Sequence, residues 1–394
     1  MWKTVKLGDV CKIQNGGTPS SGEKSYWGGN IQWLTPKDMG RLESKFVYET
    51  ERQITVSGLE NSSAKIVPKN SDILSCRAPI GHVFINTEEM AFNQGCKGLV
   101  PQNCLMTEYL YYFLYSSKQL LNDLGTGATF KEISGKTLSS VPIPLPPLAE
   151  QQRIVEKLDK AFAEIDRAIE ATERRREELV AIYDSKVTEI LSRAMIECPH
   201  TKLSKLCSRI TVGYVGKMSD QYLEDGIKFL RSQSIRPYRI SHEGLLYISE
   251  RFNESISKSQ LRRGDVCVVR TGYPGTAAVV TEEWDGANCS DLVIFTPLKS
   301  LHSEFLELFF NADFGKSLVL GKVVGAAQKH FNVTSAKDVD FPEVPIEKQK
   351  QIVSISRELR SICDEAISIA VHKRAELIKL KTAILAQELE GPAR

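Results

Sequence analysis

The chain has 394 residues, long enough for two or three domains that each bury a core, and its 42% hydrophobic and 25% charged residues describe an ordinary globular protein. No apolar run approaches the roughly 18 residues that span a bilayer, and Met1-Trp-Lys-Thr-Val-Lys lacks a signal peptide's apolar core, so the expectation is a cytoplasmic protein with no membrane partner. A net charge of +2 gives no global pull toward nucleic acid, and nine cysteines without Cys-x-x-Cys or zinc spacing read as free thiols, with no metal site.

Residues 1–147 form a first mixed α+β segment. Turn signals at Asn15-Gly-Gly-Thr-Pro19, Trp27-Gly-Gly-Asn30 and Pro68-Lys-Asn-Ser-Asp72 separate short apolar runs such as Ile73-Leu74, Val83-Phe-Ile85 and Leu99-Val100, which read as strands. Tyr109, Leu110, Phe113, Leu114 and Leu120 then recur at helical spacing. Residues 148–195 hold a central spacer helix. The stretch 150–192 has neither Gly nor Pro, and at about 1.5 Å per residue it would be roughly 65 Å long. Its stripe Val155, Leu158, Phe162, Ile165 and Ile169 steps by three and four, the pattern of a coiled-coil seam. Residues 196–345 repeat the first plan, and 346–394 form a distal spacer helix with Ile355, Leu359, Ile362, Ile369 and Leu377 as its seam.

The repeat is explicit. Pro147-Leu-Ala-Glu-Gln-Gln-Arg-Ile-Val155 returns 198 positions later (345 against 147) as Pro345-Ile-Glu-Lys-Gln-Lys-Gln-Ile-Val353. Asp72-Ile-Leu-Ser-Cys-Arg77 answers Asp265-Val-Cys-Val-Val-Arg270, and Glu108-Tyr-Leu110 answers Glu304-Phe-Leu306. The loops between these landmarks differ in length and chemistry, which is how one scaffold would carry two specificities. Antiparallel pairing of the two helices would bury both stripes and relate the domains by an approximate twofold. Leu158→Asp or Ile165→Asp would then disrupt the spacer and leave the domains folded.

Catalytic signatures are missing. Gly135-Lys-Thr137 and Gly315-Lys-Ser317 imitate a phosphate-binding loop, but Phe130 and Phe310 stand where its first glycine must be. No Asn/Asp-Pro-Pro-aromatic tetrapeptide and no Pro-Asp dipeptide occurs, and the six histidines have no ligand-spaced neighbours. The expectation is a non-enzymatic protein that holds no cofactor of its own. Its loops can grip and read DNA, since Arg suits guanine, Asn and Gln suit adenine, and Lys and Thr suit phosphates. The candidate contacts are Thr18, Ser20, Lys37, Arg77, Asn93, Gln94, Thr126, Thr129 and Lys131 in the first copy. In the second they are Arg231, Gln233, Arg270, Thr271, Tyr273, Gln328, Lys329, His330 and Asn332.

Pro144-Leu-Pro-Pro-Leu-Ala-Glu-Gln-Gln-Arg-Ile-Val-Glu-Lys-Leu-Asp159, its echo at 342–359, and Gly16-Gly-Thr-Pro-Ser20 with Trp27, Ile31-Gln-Trp33 and Pro36-Lys-Asp-Met39 resemble the specificity subunit of type I restriction–modification systems. The resemblance implies two target recognition domains separated by two long antiparallel coiled-coil helices, each domain reading half of a bipartite, asymmetric site in double-stranded DNA. It further implies two methyltransferase subunits carrying S-adenosylmethionine, and endonuclease/translocase subunits using ATP and Mg. The second copy departs from the pattern, with Val212-Gly-Tyr-Val-Gly216 in place of Gly-Gly-Thr-Pro. The rival reading is a coiled-coil protein adaptor with no nucleic-acid role.

Overall fold

In the computed structural model, which describes residues 2–42, 44–77, 79–127, 131–321 and 331–390, the chain divides into two compact units. One is Met1–Thr172 with His372–Arg394, and the other is Glu173–Val371. The division cuts both long helices, Leu148–Glu197 and Ile346–Glu390, so each unit owns part of each.

The first unit contains β1 (Lys3–Lys6), β2 (Cys11–Asn15), β3 (Trp27–Leu34), β4 (Phe46–Val47), β5 (Gln53–Ile54), β6 (Ile66–Val67), β7 (Asp72–Ser75), β8 (Val83–Asn86), β9 (Met90–Phe92), β10 (Cys96–Pro101) and β11 (Pro142–Leu145). These form one sheet in the order β2-β10-β7-β8-β4, a second in the order β5-β3-β9-β6, and the pair β1-β11. The period-two alternation of β7 and β8 explains their complete burial. Leu74 and Val83 face a cluster containing Tyr109, Leu110 and Leu114 of the helix Thr107–Ser116, while Ile73 and Phe84 face Leu34, Val67 and Phe92.

The second unit contains β12 (His200–Lys202), β13 (Cys207–Val212), β14 (Ile227–Leu230), β15 (Ile235–Arg236), β16 (Arg239–Ile240), β17 (Leu246–Ile248), β18 (Val266–Val269), β19 (Ala277–Val279), β20 (Asn288–Cys289), β21 (Leu292–Pro297) and β22 (Asp340–Pro342). Its sheet β13-β21-β18-β19 matches β2-β10-β7-β8, its sheet β17-β14-β20 matches β5-β3-β9, and β12-β22 matches β1-β11. Even the strand directions agree, since β3–β9 and β14–β20 are both parallel. The internal repeat is thus a repeat of fold.

The copies solve one problem differently. An open sheet edge leaves backbone donors and acceptors without partners. In the first unit β4 pairs with the outer edge of β8. In the second, side chains of the helix Ser303–Asn311 cover β19: Asn311 bonds both the N–H and the carbonyl of Ala277 (3.0 and 2.9 Å), and Glu307 accepts from the Val279 N–H (2.8 Å). The sequence-equivalent positions in the first unit are Tyr111 and Tyr115.

Within each unit the two helix segments run antiparallel. In the first, Lys157 reaches Glu388 (2.6 Å) and Lys381 reaches Asp166 (2.7 Å), so numbers rise on one helix as they fall on the other. In the second, Lys348 pairs with Glu197 (2.9 Å), and the Tyr183 hydroxyl meets Ser356 Oγ at 2.9 Å. On the first helix Val155, Leu158, Phe162 and Ile165 are buried, and Ile169 is half-buried.

On the second helix the structure departs from the expected seam. Ile355, Ile362 and Ile369 point outward, 48%, 59% and 63% exposed, and Leu359 and Leu377 are half-buried. The inner face is built instead from Ile352, Val353, Ser356, Ala370, Leu385 and Leu389. Large residues on one helix require small ones opposite, and Tyr183 meets Ser356 for that reason. A search for large apolar residues therefore selects the wrong face. Separating spacer from domain also fails at Leu158, which is fully buried in one cluster with Leu74, Leu110 and Leu385.

Candidate nucleic-acid interface

In each unit the loops at one end of the sheets are tied into a single cluster. In the first, the Gly16 N–H bonds the Cys96 carbonyl and the Gly17 N–H bonds that of Phe92. Asn93 N–H bonds Leu34, Cys76 N–H bonds Gly95, and Ile133 N–H bonds Cys76. Segments 15–20, 34–37, 76–77, 93–97, 125–127 and 131–135 therefore converge. The glycines are demanded by close approach: a Cβ on Gly16 would lie 2.0 Å from the Asn93 carbonyl oxygen, and one on Gly17 would lie 2.3 Å from Ala64 N.

The expected contacts sit in this cluster in distinct states. Thr18 and Gln94 are exposed and hydrogen-bonded to each other. Asn93 turns inward and accepts from the Gly95 N–H at 2.9 Å, which makes it a loop former. Arg77 is half-exposed and held by Glu132 at 2.9 Å. Lys37 donates to Glu51 at 3.0 Å, a carboxylate it shares with Arg41, so much of its charge is neutralised within the unit. The Ser20 carbonyl receives the Trp27 indole N–H at 3.0 Å. Thr126 is exposed, its backbone paired with Glu132, and Lys131 is exposed nearby. Thr129 lies outside the described residues.

Lys97 was not among the expected contacts. It is 5% exposed within β10, and its ammonium donates to Asn15 Oδ1 at 3.0 Å beneath the glycine loop. Period-two reading hides it, because the flanking apolar residues make β10 look like a plain buried strand.

The second unit repeats the arrangement with other residues. Gly213 N–H bonds Leu292, Tyr214 N–H bonds Cys289, Ser290 N–H bonds Leu230, and Phe331 N–H bonds Arg270. Arg231 and Arg270 are half-buried, and Arg231 reaches the Gly244 carbonyl at 3.3 Å. Gln233, Thr271 and Tyr273 line one cleft with Pro237, Pro274 and Leu320, and Tyr273 is 84% exposed. Asn332 is a helix cap, accepting from the Ser335 N–H at 2.8 Å. Gln328, Lys329 and His330 lie outside the described residues.

The chemistry at these clusters is that of contact surfaces. Burial pushes the Cys76 thiol up to about 12, and Cys96 is raised likewise, so neither thiol is a poised nucleophile. Gly135-Lys-Thr137 begins a five-residue helix capped by Ser134. Among the described residues no group of three or more His, Cys, Asp or Glu side chains is placed to hold a metal ion.

Residues 1–179 match the family model described as the type I restriction modification DNA specificity domain. The type I restriction enzyme MjaIX specificity subunit of Methanocaldococcus jannaschii is 40% identical over 156 residues, covering 39% of this chain and 36% of the relative, so that match spans little more than a third of the relative's length. The type I restriction enzyme EcoBI specificity subunit of Escherichia coli is 24% identical over 421 residues, covering 99% of this chain and 86% of the relative. A solved structure concerned with complex assembly and conformational transition of the type I R-M system has a TM-score of 0.74 at 17% identity, covering 98% of this chain and 97% of the other, a likeness of fold.

Proposed function

The chain belongs to the type I restriction–modification DNA specificity family, and from that premise we propose that it is the DNA-reading, non-catalytic subunit of a methyltransferase and endonuclease complex. Each unit reads one half of a bipartite, asymmetric site in double-stranded DNA. The observation that carries this reading is one scaffold built twice with different loops: β2-β10-β7-β8 and β13-β21-β18-β19 present Thr18, Gln94 and Arg77 in one unit and Gln233, Arg270 and Tyr273 in the other. Two different readers in one chain suit an asymmetric sequence, because two copies of one reader would select a palindrome.

Methyltransferase subunits carrying S-adenosylmethionine, and endonuclease/translocase subunits using ATP and Mg, would supply the chemistry. They would also supply phosphate contacts that a chain of net charge +2 lacks. The test is selection from a random duplex library by the chain copurified with its methyltransferase. Enrichment of one two-part sequence, with binding that weakens steeply as salt rises, supports the reading. Absence of any sequence preference would leave the protein-adaptor reading in its place.

A further inference from the structure

We propose that Arg52 is a specificity-determining contact of the first unit, presenting its guanidinium edge to the acceptor edge of a guanine; this rests on the DNA-reading function above. Arg52 is exposed and immediately precedes β5, where its carbonyl receives the Trp33 N–H at 3.2 Å. Its guanidinium carbon lies 3.5 Å from the centroid of the Trp27 ring and 5.5 Å from that of Trp33. A guanidinium held this close to an indole face is restrained in its rotamers, and because Arg52 is exposed its planar N–H fork stays open to solvent, so less entropy remains to be lost on binding.

The two indoles are themselves fixed. They meet edge to face at 5.0 Å, Trp33 donates to the Gly17 carbonyl at 2.9 Å, and Trp27 donates to the Ser20 carbonyl at 3.0 Å. The two rings that hold Arg52 are therefore both tied to the loop Gly16–Ser20 that the first cluster presents. A register shift in β3 between Trp27 and Ile31, both opposite Ile54, brings the two rings together.

Its electrostatic setting distinguishes it from its neighbours. Glu51 takes both Lys37 and Arg41, whereas among the described residues no carboxylate pairs with Arg52. A planar fork with no internal acceptor matches the O6 and N7 pair of guanine in the major groove. In the second unit Phe229 stands where Trp33 does and meets Tyr222 edge to face at 6.1 Å, but Arg231 lies 6.0 Å from the Tyr222 ring against 3.5 Å for Arg52 over Trp27, so the close guanidinium–indole contact belongs to the first unit.

The experiment compares wild type, Arg52→Lys and Arg52→Gln, each as the full chain copurified with its methyltransferase, by library selection and by binding across a salt series. Lysine keeps the charge but loses the planar fork. The expected result is relaxed preference at one base pair of one half-site, by tenfold or thereabouts, in both variants, with the other half-site untouched and the salt slope of Arg52→Lys unchanged. Uniform weakening of all sequences in Arg52→Gln, restored by Arg52→Lys, would mark a phosphate contact and overturn the assignment. An unchanged preference in both variants would overturn it as well. Wild type without any sequence preference would instead remove the function on which the inference rests.

Discussion

Gln151 and Gln349, 198 positions apart (349 against 151), make the same three hydrogen bonds in their respective units. Gln151 accepts from the Met106 N–H at 2.8 Å and donates to the carbonyls of Cys104 (2.9 Å) and Pro146 (2.8 Å). Gln349 accepts from the His302 N–H at 2.8 Å and donates to Ser300 (2.9 Å) and Val344 (2.7 Å). Both are fully buried or nearly so, and each staples the first turn of a long helix to the loop before the shorter helix of its unit. This is what the repeated helix-opening motif encodes.

Gln151→Ala would leave a buried N–H and two carbonyls without partners, at about 1–3 kcal/mol for each group that water cannot reach. A loss of about 3 kcal/mol is expected in the unfolding of the first unit, with the second unchanged, and Gln349→Ala should show the reverse. Hydrogen exchange on the full chain resolves the two. Equal deprotection of both units by either variant would contradict independent stapling.

Leu158→Asp tests whether helix and domain share one core. A carboxylate placed among Leu74, Leu110 and Leu385 is expected to unfold the first unit, because its burial costs several kcal/mol. Ile362→Asp, at an outward position 59% exposed, should leave both units folded. Denaturant melts compare the two variants; a folded first unit in Leu158→Asp would refute the shared core.

Glu307 should give the second unit a pH dependence. Burial pushes its carboxyl from 4.5 up to about 7, opposed by the Val279 N–H and by Arg360 and Arg357, with Glu304 adding to the rise. A folded pKa above the unfolded one means that stability is full below about pH 4.5, falls as pH rises toward 7, and is flat beyond. The loss is about 3 kcal/mol at most. Glu307→Gln can still accept from Val279 and should flatten this profile in urea melts at pH 5 and pH 8. An unaltered profile would remove Glu307 as its source. Asp72 in the first unit, buried and with neither carboxyl oxygen hydrogen-bonded, is raised for the same reason and contributes with the same sign.

Lys131 and Lys37 should differ in DNA binding. Lys131 is exposed in the first loop cluster, so Lys131→Ala is expected to weaken all sequences alike and reduce the salt slope by about one. Lys37 already shares Glu51 with Arg41, and Lys37→Ala should change the slope far less. Equal slopes for the two variants would show that the ion pair opens on DNA.

Much of the fold could be read from the chain because it depends on local pattern. The Gly- and Pro-free helices and the stripe at Val155, Leu158, Phe162 and Ile165 are properties of nearby residues, and the duplication shows as one short local motif written twice. What escaped depends on partners distant in sequence. Ile355, Ile362 and Ile369 have faultless spacing, yet Ser356 faces inward because Tyr183 needs room there. Lys37 and Arg52 look alike as basic loop residues. Only the fold gives the first to Glu51 and lays the second on Trp27.

The most direct measurement is the site selected from random duplex DNA by the full chain with its methyltransferase, repeated after the loops at 15–20, 93–97 and 125–135 are replaced with those of another family member. Two unlike half-sites at a fixed separation are expected, with the exchange altering one half and preserving the other half and the gap. A single undivided site, a palindrome, or changes in both halves would contradict two independent readers built on one repeated scaffold.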